Sequence, residues 1–96
     1  MLEQERQNID RIDREIVRLF EERTRTVEQV AQVKLTNNLP VLDASREQLV
    51  IEKVQSYLTD PTLSEEIATL YTEIMRLSRE HQTVWLAEHN QSLKPS

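Results

Sequence analysis

The stretch 4–35, QERQNIDRIDREIVRLFEERTRTVEQVAQVKL, decides the fold. Its apolar residues Ile9, Ile12, Ile16, Leu19, Phe20, Val27 and Val30 recur at mainly three- and four-residue steps, the spacing that lines one face of an α-helix. That pattern predicts one long helix over 4–35. The same stripe passes through Arg23 and Lys34, whose separation returns them to within roughly 20° of one face at about 100° per residue. A single cation on an apolar stripe is explained by snorkelling, or by pairing with a buried carboxylate. Two on one stripe weaken that explanation.

Working outward, the absence of glycine and the presence of only three prolines in 96 residues favour helix throughout. The first helix is expected to stop at Thr36-Asn37-Asn38-Leu39-Pro40, where asparagine tolerates left-handed backbone and proline bars continuation. Asp43 or Ser45 can cap a second, short helix over 44–58, with Val50, Val54 and either Tyr57 or Leu58 facing inward. Thr59-Asp60-Pro61 breaks that helix, and Thr62 with Glu65 reads as a capping box for a third helix of medium length over 63–88. Its inward positions are Ile67, Leu70, Ile74, Leu77 and Trp85. The expected organisation is one all-α domain over 1–90, followed by a flexible tail over 91–96.

A helix over 4–35 is about 48 Å long, whereas a compact chain of this size has a radius of gyration of about 12–13 Å. The first helix must overhang its short partners, and the apolar stripe on the overhang needs cover from another molecule. A two-fold dimer of intertwined helices is the simplest closed arrangement. Composition narrows the partners further. With no cysteine there is neither a disulfide framework nor a thiolate metal site. The N-terminus lacks a signal-peptide core, no stretch is long and apolar enough to span a bilayer, and a cytoplasmic protein is expected. A net charge of −5 argues against nucleic acid. The few cations then serve something smaller.

Ser78 and Gln82 stand one turn apart on the inward face of the third helix, and Asp43, Arg46 and Glu47 cluster where the chain enters the second. Alone, the first pair reads as a helix–helix hydrogen bond and the second group as a cap with a surface ion pair. Together with Arg6, Arg23 and Lys34 they form a set of cations, neutral hydrogen-bonders and acceptors. Such a set suits a small polyanion carrying carboxylates, a hydroxyl and an ether-like oxygen. It contains no nucleophile–base pair, and His81 and His89 do not make a metal site.

The ordered motif Arg6-x-x-Ile9-Asp10-x-Ile12-Asp13, Arg23, Lys34, Pro40-Val41-x-Asp43-x-x-Arg46-Glu47 and Ser78-x-x-x-Gln82 resembles that of the all-helical (AroQ-type) chorismate mutases over nearly the whole chain. The resemblance implies an intertwined homodimer that converts chorismate to prephenate on the route to phenylalanine and tyrosine, with no cofactor or metal. It implies that Arg23 and the partner chain's Arg6 grip carboxylates with help from Arg46 and Ser78. Lys34 and Gln82 would face the ether oxygen as the catalytic pair, and Glu47, with the backbone near Asp43, would hold the ring hydroxyl. Asn38 stands where relatives often carry glycine. An isochorismate-pyruvate lyase of the same fold and a non-catalytic helical dimer that docks onto another shikimate-pathway enzyme are the alternatives. A second enzyme of that pathway is also a candidate partner of an active mutase.

Overall fold

The computed structural model of the chain describes residues 1–93. It is all-α: α1 spans Glu3–Thr36, α2 spans Ala44–Ser56, and α3 spans Ser64–Leu93, with one 3₁₀ turn at Pro61–Leu63. There is no strand among the described residues. α3 is the common support, since α1 and α2 both pack on it. No helix is long and apolar enough to cross a membrane among the described residues.

The joints follow local chemistry. α1 ends in a paired hydrogen-bond turn, Leu39 N donating to the Lys34 carbonyl at 2.8 Å and Asn38 N to the Leu35 carbonyl at 3.2 Å. This closure needs a left-handed residue just past the helix, and Asn38 fills that position with φ 57°. Asn37 Nδ2 caps the Val33 carbonyl at 2.8 Å. Asp43, and not Ser45, is the N-cap of α2, its Oδ1 accepting from Arg46 N at 3.0 Å.

Several expectations need correction. Helix α2 stops at Ser56, two residues early, and Tyr57 is 74% exposed, so Leu58 is the inward member of that pair. The Thr62–Glu65 capping box does not form. Asp60 caps instead, its Oδ1 accepting from Thr62 N at 3.0 Å and Thr62 Oγ1 at 2.6 Å, because Pro61 at the first helical position starts a 3₁₀ turn two residues sooner. α3 continues to Leu93, so 91–93 of the expected tail are helical, and 94–96 lie outside the described residues.

The buried core of the single chain is small: Ala31, Val54 and Met75, plus the polar Gln82. No residue from 1 to 22 is other than exposed, and the predicted stripe residues Ile9, Ile12, Ile16, Leu19 and Phe20 are all bare. On α3, Leu70 and Leu77 are also exposed, against expectation for one chain. The molecule measures 61 × 29 × 15 Å with a radius of gyration of 17.1 Å, well above the roughly 12.5 Å of a compact domain of this length. Its accessible surface is 7826 Å², where a compact monomer of 11.4 kDa would expose about 5,800 Å². The overhang predicted from helix length is therefore present, and it leaves an excess of roughly 2,000 Å².

Candidate active site

The C-terminal half of α1, the start of α2 and the middle of α3 enclose a cleft of about 250 Å³. Seven of the eight residues expected at the site line it: Arg23 and Lys34 from α1, Asp43, Arg46 and Glu47 from the entry to α2, and Ser78 and Gln82 from α3. Val27, Val30, Val50 and Met75 form its apolar walls. Arg6 is not among the lining residues. It sits about 26 Å up α1 from Arg23, on the exposed overhang.

Each side chain is placed by its element. The Arg23 guanidinium lies 6.0 Å from the centroid of the Tyr71 ring on α3, at the limit of a cation–π contact. Lys34 Nζ donates to the Val41 carbonyl at 2.7 Å. The turn at Asn38 makes this contact possible by folding the chain back over the end of α1. An ammonium carries three donors, so two remain for a ligand. The Asp43 carboxyl is held below the usual aspartate value, chiefly by the backbone N–H of Arg46, with smaller help from Ser45 and from the charges of Lys34 and Arg46. Gln82 is 6% exposed, its Nε2 donating to Ser78 Oγ at 3.4 Å, while its Oε1 is buried without a hydrogen-bond partner among the described residues.

Several cations outside the cleft are paired along their own helix. Arg18 is held by Glu15 at 2.9 Å and Glu22 at 3.3 Å, Arg25 by Glu28 at 2.8 Å, and Arg76 by Glu80 at 2.7 Å and by Glu73. Arg23, Lys34 and Arg46 form no salt bridge among the described residues, although two carboxylates line the same cleft. Arg23 and Lys34 are half-buried and Arg46 is exposed at the cleft, and partial burial of positive charge outside a salt bridge is unfavourable. A cleft that gathers these three cations suits an anionic occupant.

Two contacts escaped the sequence reading. Arg79 on α3 also lines the cleft, and its Nη1 donates to both carboxylate oxygens of Glu47, at 2.5 and 2.6 Å. A signal existed: the positions one turn away on its own helix, Met75, Arg76, Gln82 and Thr83, offer no carboxylate, so Arg79 must look to another element. The second contact is between His81 Nε2 and Glu28 Oε2, at 2.7 Å, which ties α3 to α1. That bond is the main reason the Glu28 carboxyl lies below its usual range, ahead of the contribution of Arg25. A larger depression of about 360 Å³ between α1 and α3 holds Phe20, Ile74 and Leu77. It is mainly apolar and continues the bare stripe of α1.

An all-helical chain whose packed end presents a polar, cationic cleft defines a small-anion site built between helices. The chain belongs to the chorismate mutase type II family, whose description it matches over residues 5–83. It is 27% identical over 89 residues to the chorismate mutase of Methanocaldococcus jannaschii, covering 93% of this chain and 79% of that protein. It is 40% identical over 53 residues to the bifunctional chorismate mutase/prephenate dehydratase of Aquifex aeolicus, which takes in 55% of this chain and 15% of the relative. A second bifunctional protein of that description, from Buchnera aphidicola, is 39% identical over 49 residues, or 51% of this chain and 13% of its own length. The chain thus spans only a small part of the bifunctional relatives it matches. No solved structure matches it significantly.

Proposed function

We propose that this protein is a chorismate mutase that rearranges chorismate to prephenate as an intertwined homodimer. The observation that carries the reading is the cleft itself, in which Arg23, Lys34 and Arg46 stand without salt bridges beside Gln82. The reaction is an intramolecular Claisen rearrangement: the ether C–O bond breaks as a C–C bond forms in the same molecule. It needs no proton transfer, covalent intermediate or cofactor. What a protein can supply is a compact conformer of a flexible dianion and stabilisation of the negative charge that develops on the ether oxygen. In this reading Arg23 binds one carboxylate, with Arg46 and Ser78 in support. The uncommitted N–H groups of Lys34 and Gln82 point to the ether oxygen, and Glu47 and the backbone at Asp43 receive the ring hydroxyl.

The second carboxylate falls to Arg6 of a second copy. Arg6 is too far along its own helix to reach the cleft that holds Arg23. The roughly 2,000 Å² of excess surface per chain supports a second copy as the cover, since obligate dimers bury about 2,000–5,000 Å² in total. A domain over 1–90, a cytoplasmic location and a further enzyme of the same pathway as partner are consistent with this reading.

The test is incubation of the purified chain with chorismate after exhaustive chelation and dialysis. The expected result is stoichiometric conversion to prephenate at undiminished rate. Release of pyruvate and salicylate from isochorismate, without turnover of chorismate, would identify a lyase instead. No turnover of either would leave a helical dimer of another role.

A further inference from the structure

We infer that Arg79 is a positioning residue of the cleft, holding Glu47 as the acceptor for the substrate's ring hydroxyl and keeping it away from the cations that bind carboxylates. The inference rests on the mutase reading above and adds to it a residue outside the motif that suggested that reading.

The geometry has three parts. Arg79 and Glu47 lie on different helices, α3 and α2, and their side chains are only 33% and 25% exposed. A pair so placed is screened less by water than the surface pairs of Arg18 or Arg76. Both Glu47 oxygens converge on the single Nη1 of Arg79, at 2.5 and 2.6 Å. A carboxylate offers about four acceptor positions, so this arrangement fixes the direction of the group and leaves its remaining lone pairs for a hydroxyl. The third part is electrostatic. Arg23, Lys34 and Arg46 share the cleft with Glu47, and a mobile carboxylate there would be drawn to one of them. It would then compete with the substrate for the charge that the substrate needs. Arg79 offsets the charge of Glu47 within the wall, so the other three cations stay available.

A double-mutant cycle read on two substrates tests this. Arg79→Met keeps most of the aliphatic stem and removes the charge, Arg79→Lys restores a cation, and Glu47→Gln keeps the shape of the partner without its charge. Each variant is assayed on chorismate and on the analogue lacking the ring hydroxyl, with melting temperature followed throughout. Loss of one charge-assisted contact corresponds to about 10- to 100-fold. Arg79→Met is expected to lose kcat/KM in that range on chorismate and several-fold less on the analogue, where only the competition of a freed Glu47 for the carboxylate-binding cations is felt, with Arg79→Lys recovering part of the loss. In the Glu47→Gln background, Arg79→Met should cost little more.

Additive losses in the cycle would overturn the inference, because they would mean that Arg79 meets the substrate directly. Equal losses on both substrates, or a fall in melting temperature with kcat/KM unchanged, would overturn it in favour of a purely structural pair. Wild-type protein that turns over chorismate while the cycle fails sinks this inference alone. Wild-type protein that does not turn over chorismate sinks the reading beneath it as well.

Discussion

Before Arg23 every residue of α1 is exposed, including Ile9, Ile12 and Ile16, and the arginine Arg18 is held by Glu15 and Glu22 on its own helix. Beyond that point the same helix buries Ala31 and half-buries Val27 and Lys34, while its inward cations make no salt bridge among the described residues. The first half lacks apolar cover. The second half has it, and there Arg23 and Lys34 are half-buried outside any salt bridge among the described residues. In the proposed reading the two ends of this helix take two different occupants: a second chain on the bare stripe and an anion in the cleft. Under the same proposal Arg6 links the two, because the half covered by a second chain carries a cation that the partner's cleft would use.

The largest effect should come from breaking the first half. Ile12→Asp places a carboxylate in the centre of the bare stripe, where an unpaired buried charge costs about 3–5 kcal/mol. The variant should elute as a monomer in sedimentation or size-exclusion measurements and lose nearly all mutase activity, although it touches no cleft residue. A dimeric, active Ile12→Asp protein would show that the stripe is not the interface. Slightly smaller is the pair Arg6→Ala and Arg23→Ala. Each homodimer should be nearly inactive, and refolding them together should restore about half of wild-type activity per heterodimer, since one site then carries both lesions and the other none. Absence of rescue in a verified heterodimer would return Arg6 to its own chain or remove it from the site.

Gln82→Glu sharpens the second half. An amide donates at any ordinary pH, whereas a glutamate donates only while protonated, with a reference pKa of about 4.3. The wild-type rate should stay flat through neutral pH, and the variant should be weak at pH 7–8 and recover as the medium is acidified. Parallel pH–rate profiles would assign Gln82 to packing. The smallest effect belongs to the cap of α2. Because the Asp43 carboxyl is held below its usual value in the folded chain, the unfolded chain takes up its proton first. The stability this contributes is complete above about pH 4, the ordinary aspartate range, and is lost as pH falls through the lower folded value. Asp43→Ala should therefore melt lower than wild type at pH 7, and the gap should close toward pH 2. A gap independent of pH would show that the carboxylate is not what caps the helix.

Much of this was legible because polar residues interrupt an otherwise regular apolar period. Arg23 and Lys34 stood out on the stripe of α1, Ser78 and Gln82 on that of α3, and the structure brings all four to one cleft. The overhang was legible from length alone. Less visible were contacts that depend on how two helices are set against each other. Glu47 with Arg79, and Glu28 with His81, are far apart in sequence and have no periodic signature. The misplaced cap at Thr62 has a local cause: Asp60 and Pro61 together start the turn earlier than a search for Thr-x-x-Glu allows. The exposed Leu70 and Leu77 were read as inward from a period that does not distinguish cover by the same chain from cover by another.

The reach of α1 has a kinetic consequence. When a catalytic centre draws groups from two polypeptides, turnover per chain is a function of dilution. Far below the dissociation constant of the pair, the assembled fraction falls in proportion to total protein, so the observed velocity varies with the square of enzyme concentration rather than linearly. A dilution series at saturating chorismate should bend from slope one to slope two on logarithmic axes, and the bend measures the affinity of the two rods for each other without any label.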